Sequence, residues 1–176
     1  VISIAAGITT ELLETSMPLA NVVRAMPNTP AKIESGVTGI SAGARCSPEA
    51  LDKARDLLSS VGVVVEVPEA LQDAVTAVSG SGPAYLFYLA EAMIDGACEL
   101  GMPPETARAS VVHTLLGAAR LLEATGEEPS ELRAKVTSPG GTTAAAIAVL
   151  DAEGVHRSVR AAIESARDRS RELSKG

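Results

Sequence analysis

The pattern of apolar residues changes at Pro68, and this change limits the fold more than any other feature of the sequence. Before Pro68, short β-branched runs alternate with segments of helical spacing, and Val63–Val67 is the clearest of those runs. An alternation of strands and helices is typical of an open α/β sheet. After Pro68, alanine-rich helical spacing continues and no strand-type run recurs. We therefore predict an α/β domain over residues 1–68 and an all-helical domain over residues 69–176.

Four segments of the first domain have the composition of strands. They are Val1–Gly7, Val22–Ala25, Gly36–Ser41 and Val63–Val67. The first is almost continuously apolar, which predicts a parallel strand that is buried on both faces. Such a strand needs neighbours on both sides. Because no strand precedes it in the sequence, we expect the chain to be a fragment of a longer domain.

Capping residues predict two helices between these strands. Thr9 or Thr10 can cap a short helix, since a hydroxyl satisfies one of the free N–H groups of a first turn. Ser47, followed by a proline, predicts the start of a longer helix that ends at Gly62.

The second domain is predicted to contain only helices, two of which have more than one apolar face. Gly101 and Gly126 are expected to end two of these helices, and Ser130 to cap another. The segments 83–100 and 105–124 are apolar around more than one stripe, which favours a dimer whose helices share a core. The predicted helices are 69–78, 83–100, 103–126, 130–136, 144–150 and 155–173.

All the aromatic residues lie within four consecutive positions of one predicted helix. They are Tyr85, Phe87 and Tyr88. We interpret them as a cluster in the core or at a subunit interface.

Composition excludes several classes of protein. The sequence is 46% hydrophobic with a mean hydropathy of +0.21, which indicates a globular chain. Its net charge of −7 argues against a nucleic-acid partner, which requires a basic face. No apolar run reaches the length of a membrane span, so we expect a soluble, cytoplasmic protein without membrane contact. Cys46 and Cys98 are predicted to be free thiols, and no metal site is predicted.

A glycine-rich turn separates two helical patterns near the C-terminal end. In Val136–Thr143, Pro139 ends the preceding helix, and Gly140 and Gly141 permit unusual backbone angles. The helix that follows presents free N–H groups and two threonine hydroxyls at its positive end, an arrangement that suits a small carboxylate or phosphate. An ordinary capped turn between helices is an equally open interpretation.

Three other turns have glycine or proline at positions that could matter for ligand binding. Ser79–Pro83 alternates serine and glycine but lacks the features of a phosphate loop, so a tight corner between helices is the preferred interpretation. Ala5–Gly7 and Pro27–Pro30 each follow a predicted strand. Ligands of open α/β sheets lie beyond the carboxyl ends of strands, and these two segments are expected to share that rim.

Taken together, these motifs resemble those of the pyrroline-5-carboxylate reductases, over essentially the whole chain. The resemblance implies a Rossmann-like domain for NADPH (or NADH), followed by a helical domain that intertwines with that of a second subunit in a homodimer. It also implies five such dimers in a decamer, and reduction of Δ1-pyrroline-5-carboxylate to L-proline in the last step of proline biosynthesis. The chain corresponds to the C-terminal half of the Rossmann-like domain and the helical dimerisation domain. The matching motifs are Ala5–Gly7, Met26–Pro30, Leu57–Gly62, Asp73–Thr76, Ser79–Tyr85 and Thr137–Thr143.

The resemblance also implies roles for individual residues. Backbone N–H groups of the substrate loop would hold the substrate carboxylate, and the Thr143 hydroxyl would meet the ring nitrogen as the catalytic group. Glu69 matches a position near the substrate. The implied substrate-binding residues are Glu69, Gly141, Thr142 and Thr143. The implied cofactor-binding residues are Ile4, Ala5, Ala6, Met26, Pro27, Asn28 and Lys135.

Two other functions are kept open. The chain could be a catalytically silent dimerisation fragment of such an enzyme. It could also belong to a related two-domain reductase, such as a β-hydroxyacid dehydrogenase, although the Gly140–Thr143 turn argues against that class.

Overall fold

A computed structural model describes residues 1–174 and contains a four-stranded mixed sheet in the order β1-β2-β3-β4. The β1–β2 and β3–β4 pairs are parallel, whereas β2 and β3 are antiparallel. Each parallel pair is connected through a helix, as crossover connections require. The predicted combination of an α/β part and a helical part is confirmed. The strands are β1 (Ile2–Ser3), β2 (Val23–Met26), β3 (Gly36–Ala42) and β4 (Gly62–Glu66).

The helices fall between and after the strands. Short 3₁₀ turns lie at Thr29–Ile33 and Glu69–Leu71, and a π-turn lies at Thr76–Gly80. The α-helices are α1 (Thr10–Ser16), α2 (Pro48–Ser59), α3 (Gln72–Val75), α4 (Gly82–Glu99), α5 (Pro104–Thr125), α6 (Pro129–Lys135), α7 (Thr142–Ala152) and α8 (Val155–Leu173).

Contacts divide the chain into two compact units. One consists of Val1–Ala84 together with the chain from Arg160 onward, and the other of Tyr85–Val159. The predicted domain boundary after residue 68 rests on the sequence pattern and stays a prediction.

The core of the first unit lies where α2 covers one face of the sheet. Val23, Ala25, Ile40 and Ala54 are buried there. On the opposite face of β3, α3 approaches closely because Gly39 has no side chain. A Cβ at this glycine would lie 2.6 Å from a methyl group of Val75. The half-buried residues packed against the core are Ile2, Cys46, Leu51, Leu58 and Val64.

The second unit buries little of its apolar surface. In Tyr85–Val159, the fully buried hydrophobic residues are Ala107 and Val111, both on α5. Large apolar side chains on α4 are exposed instead, among them Phe87 at 69% and Tyr88 at 77%. Soluble proteins seldom leave such contiguous apolar surface uncovered, which marks these helices as an interaction surface.

The first strand differs from its prediction. Residues 1–7 were expected to form a fully buried strand, but the ladder contains only Ile2–Ser3, and Ile4 is 64% exposed. The reason is that β1 lies at the edge of the sheet and pairs with β2 alone. Beyond Ser3 no partner strand supports the chain, which turns away towards α1.

The predicted single helix at 69–78 is also wrong. This segment consists of a 3₁₀ turn, one turn of α-helix and a π-turn, in which the Ser81 N–H donates to the Thr76 carbonyl at 2.8 Å. The hydroxyls of Thr76 and Ser79 bond the carbonyls of Gln72 and Val75, four residues earlier. Such back-bonding competes with the regular ladder of a helix.

The corner predicted at Ser79–Pro83 does not form. Ser81 has right-handed helical angles, so the π-turn leads directly into α4. Neither Gly80 nor Gly82 has a positive φ, and the alternating glycines therefore form no loop.

Most predicted helix ends agree with the structure. The hydroxyls of Thr9 and Ser47 cap α1 and α2, and Gly126 ends α5 with φ +63°. Two assignments were wrong. Glu128 rather than Ser130 precedes the first residue of α6, and α2 ends at Ser59 while Gly62 begins β4.

Neither cysteine is in a disulfide, as predicted. Burial raises the pKa of the Cys46 thiol, and nearby Glu14 adds to the effect. This shift favours the protonated thiol, which is the less nucleophilic form. Among the helices of residues 1–174, none has both the length and the apolar character needed to cross a membrane.

Gly62 should tolerate no side chain. It has φ +143°, and a Cβ there would lie 2.0 Å from the carbonyl oxygen of Gly36 on the neighbouring strand. We predict that Gly62→Ala lowers the free energy of unfolding by about 2–4 kcal/mol, measured by urea denaturation. The control is Lys53→Ala on the exposed side of α2, which should change it by less than about 0.5 kcal/mol. Equal stability of the two variants would contradict this strand pairing.

Candidate functional site

The parallel ladder between β1 and β2 brings two predicted segments to one edge of the sheet. Ile2 pairs with Val23 and Ser3 with Arg24, so both strands end on the same side. Ile4–Ala6 follow the first strand, and Met26–Asn28 end and follow the second. Ile4, Ala5 and Ala6 are exposed, which leaves a rim of mostly small residues open to a flat ring. This is the edge at which open α/β sheets bind their ligands.

Asn28 fixes the second of these segments with both ends of its amide. Its side-chain oxygen accepts from the Val37 N–H at 2.9 Å, and its nitrogen donates to the Ser79 carbonyl at 3.1 Å. The bonds tie the loop after β2 to the start of β3 and to the π-turn. With both ends of its amide engaged, Asn28 fixes the loop that also contains Met26 and Pro27.

Glu69 lies in the first unit with its carboxylate held by other residues of that unit. One oxygen accepts from the Thr10 N–H at 2.7 Å and from Arg24 Nη1 at 3.3 Å. The other oxygen accepts from the Thr10 hydroxyl. The side chain is 27% exposed and also lines an open cleft of about 380 Å³ with Ala42 and residues 66–68. The substrate contact implied for Glu69 stays a prediction.

The contacts of Arg24 and Thr10 with Glu69 were not predicted from the sequence. The structure buries both to 5% exposure. A signal was present for Arg24, because a charged residue inside the apolar run Val22–Ala25 must find a partner if the strand is buried. No sequence signal identified Glu69, 45 residues away, as that partner.

The glycine-rich turn of the second unit has the geometry of an anion site. Gly140 has φ +71°, and Gly141 is the extended residue that precedes α7. No side chain caps this helix, and in residues 1–174 no hydrogen bond reaches the N–H groups of Thr142, Thr143 or Ala144. Free N–H groups at the positive end of a helix dipole attract a carboxylate or phosphate.

The two threonine hydroxyls of this turn are also available. Thr142 is exposed and Thr143 is half-buried, and within the described part of the chain neither hydroxyl forms a hydrogen bond. A half-buried hydroxyl beside an anion-binding turn can donate to a ligand atom with little competition from water. Serine and threonine hydroxyls elsewhere in the chain, such as Thr137, instead bond a carbonyl one helical turn earlier.

Lys135 lies at the end of α6, also in the second unit. Its ammonium pairs with the Glu127 carboxylate, and the lysine side chain is 61% exposed. An exposed pair of this kind contributes little to stability, so the ammonium is free to exchange partners. Its contact with a cofactor stays a prediction.

The predicted site residues therefore provide mostly hydrogen-bonding groups and small exposed side chains, and few ionisable groups. In residues 1–174 no three His, Cys, Asp or Glu side chains are grouped to hold a metal.

Comparison with curated proteins identifies relatives across the whole chain. The family model for pyrroline-5-carboxylate reductase dimerisation matches residues 69–173. A pyrroline-5-carboxylate reductase from Synechocystis is 46% identical over 175 residues, which are 99% of this chain and 66% of the relative. The corresponding protein from Pseudomonas aeruginosa is 46% identical over 176 residues and is covered to 64%. The chain thus spans slightly less than two thirds of the length of these relatives.

Solved structures give the same result. A pyrroline-5-carboxylate reductase from Coxiella burnetii superposes with a TM-score of 0.95 at 40% identity, covering 99% of this chain and 66% of that one. The pyrroline carboxylate reductase of Plasmodium falciparum, with NADP bound, superposes with a TM-score of 0.92 at 27% identity, covering 99% and 71%. The order of the motifs, the fold and these relatives agree, and the chain belongs to the pyrroline-5-carboxylate reductase family.

Proposed function

We propose that this protein reduces Δ1-pyrroline-5-carboxylate to L-proline with NADPH or NADH, the last step of proline biosynthesis. The observation that carries the proposal is the start of α7, where three N–H groups and two hydroxyls are unpaired within residues 1–174. The sequence of this turn is one of the motifs by which the chain resembles the family. The substrate has one carboxylate and one ring nitrogen, and the turn offers a donor set for each.

The edge formed by β1 and β2 fits a nicotinamide ring. Ala5 and Ala6 are exposed and small, so a flat ring can approach the backbone there. Gly7 follows with φ +78° and packs against the end of α8, since a Cβ would lie 3.1 Å from the Leu173 carbonyl oxygen. Ile4 and the Met26–Asn28 loop would flank the same ring, and Lys135 is a further cofactor contact that the family resemblance implies. When bound, the reduced nicotinamide supplies the hydride that the imine carbon accepts.

The first turn of α7 would hold the substrate in a fixed orientation. The N–H groups of Thr142 and Thr143 donate to the substrate carboxylate, which the helix dipole also attracts. The backbone geometry at Gly140 and Gly141 aims these groups outward. Orientation of this kind lowers the barrier by removing rotational freedom before the reaction.

Thr143 would act on the ring nitrogen. Its hydroxyl donates a hydrogen bond to the nitrogen, which gains electron density as the adjacent carbon accepts hydride. A threonine hydroxyl ionises far above neutral pH, so Thr143 orients and stabilises rather than serving as a strong acid. With a neutral imine as the acceptor of this hydrogen bond, the proton that the nitrogen gains after hydride transfer comes from water.

The second unit would join that of another subunit. The exposed apolar residues of α4 and α5 include Leu86, Phe87, Tyr88 and Leu116. A second copy of the same helices would cover them, in agreement with the dimerisation model that matches residues 69–173. Assembly of five dimers into a decamer is the further state that the family resemblance implies.

The activity is tested with the protein expressed from its complete reading frame. We expect it to oxidise NADPH or NADH only when pyrroline-5-carboxylate is present, and to release proline in equal amount. Cofactor oxidation is followed by the absorbance of the reduced cofactor, and proline release is measured by amino-acid analysis. Cofactor binding without turnover would favour the silent dimerisation module.

Thr143→Ala is predicted to lower kcat/KM for pyrroline-5-carboxylate by roughly tenfold to a few hundredfold, the value of one hydrogen bond in the transition state. Thr143→Ser keeps a hydroxyl and should recover most of the loss. The matched control is Thr125→Ala, at the end of α5, where the hydroxyl donates to the Leu121 carbonyl and accepts from the Glu127 N–H. Wild-type kinetics in Thr143→Ala would remove this residue from the mechanism.

Phe87→Asp is predicted to weaken the dimer. In a two-fold interface the change occurs twice, so a loss of about 1.5–3 kcal/mol per side chain raises the dissociation constant by roughly 10²- to 10⁴-fold. Sedimentation velocity over a range of concentrations measures it. Leu19→Asp, at a fully exposed position in the loop before β2, is the control and should leave the dimer intact. An unchanged dimer in Phe87→Asp would place the interface elsewhere.

A further inference from the structure

Glu69 connects two segments that are distant in sequence and lie at the same edge of the sheet. Its carboxylate accepts from both the N–H and the hydroxyl of Thr10, and it pairs with Arg24 at 3.3 Å. All of these residues belong to the first unit. Both carboxylate oxygens are therefore engaged by the protein.

The first partner controls the loop after β1. Thr10 is the first residue of α1, and the loop Ile4–Thr9 ends there. Thr9 caps the helix through the Leu12 N–H at 3.2 Å, so the loop end is fixed from two directions. The other end of the loop is fixed by the ladder between Ser3 and Arg24. The exposed residues Ile4–Ala6 are thus held between two anchors, and Glu69 contributes to each.

The second partner controls the strand that leads to Met26. Arg24 lies on β2, two residues before Met26, and its side chain is 5% exposed. In residues 1–174, Glu69 is the carboxylate with which it pairs. A buried guanidinium left without its carboxylate is strongly unfavourable, so the strand would shift or admit water if Glu69 were neutral.

We propose that Glu69 is a positioning residue for the reduced nicotinamide cofactor, acting through Thr10 and Arg24 on Ile4–Ala6 and Met26. This inference rests on the proposed function. It differs from the substrate contact that the family resemblance implies for Glu69, because a carboxylate with both oxygens engaged has little capacity left for a ligand. Thr10 and Arg24 accordingly act on cofactor binding without touching the substrate.

The first test compares cofactor and substrate parameters in Glu69→Gln, in the protein expressed from its complete reading frame. If the neutral side chain leaves about a tenth of the molecules with a correctly placed loop, the Kd and KM for NADPH rise about tenfold. The KM for pyrroline-5-carboxylate and kcat at saturating NADPH should stay within about twofold, because bound cofactor restores the loop. Fluorescence titration gives the Kd for NADPH, and initial rates give kcat and the KM values for NADPH and pyrroline-5-carboxylate.

Thr10→Val provides a second route that leaves the ion pair intact. It removes only the hydroxyl, and should raise the Kd for NADPH in the same direction by a smaller factor. Combined with Glu69→Gln, it should add little, because the two changes remove the same contact. If Glu69→Gln does not fold, Thr10→Val alone decides the question. Glu66→Gln, which loses an exposed pair with Arg55, is the matched control and should bind NADPH as the wild type does.

Three results would overturn the inference. One is a rise in the KM for pyrroline-5-carboxylate with unchanged NADPH binding, which would make Glu69 a substrate contact. Another is a lower Tm with unchanged Kd for NADPH in both variants, the mark of a purely structural role. The third is full additivity in the double variant. A wild-type protein that binds NADPH without turnover would contradict the proposed function but leave the binding comparison valid.

Discussion

A buried charge pair places the elements of the first unit relative to one another. Arg24 is buried on β2, where an unpaired guanidinium would be strongly unfavourable, and it pairs with Glu69 at 3.3 Å. Glu69 directly follows the last strand, and its carboxylate also bonds Thr10 at the start of α1. One side chain therefore joins the middle of the sheet, the first helix and the segment that leads to α4. The predicted cofactor edge lies at the end of the strands that this pair aligns.

Each unit contains one predicted binding region, and the two regions offer different groups. At the sheet edge, small side chains and an open backbone leave space for a flat ring. At the start of α7, N–H groups and the Thr143 hydroxyl have no hydrogen-bond partner within residues 1–174, and we propose them as donors for a carboxylate and a ring nitrogen. Neither part relies on a titrating acid or base. The proposed reaction transfers hydride from a cofactor to an electrophilic carbon and depends mainly on orientation, which groups of this kind can provide.

Local signals were sufficient for most elements. Ser47 and Gly126 act at helix ends, where a single side chain or a left-handed backbone decides the outcome. Local composition likewise predicted the four strands. The length of β1 was not predicted, because it depends on how many strands pair with it. The glycine-rich turn could be located from its residues alone. Its function required the resemblance to a family, since a capped turn has the same local sequence.

Long-range interactions account for the remaining errors. The 69–78 segment is predicted as one helix, yet Gln72 bonds Gly39 and Ser41 of the sheet, and α3 ends after a single turn. Periodicity carries no information about such partners, 31 and 33 residues away. The Glu69–Arg24 pair was missed in the same way. A charged residue in an apolar strand predicts that a partner exists but does not identify it.

The most direct measurement of this account is a crystal structure of the protein from its complete reading frame with NADP⁺ and L-proline. The account predicts the proline carboxylate within hydrogen-bonding distance of the Thr142 and Thr143 N–H groups, and the ring nitrogen within reach of the Thr143 hydroxyl. It also predicts the nicotinamide ring against Ala5 and Ala6, with Glu69 still bonded to Thr10. Proline bound away from the α7 turn, or in direct contact with the Glu69 carboxylate, would contradict it.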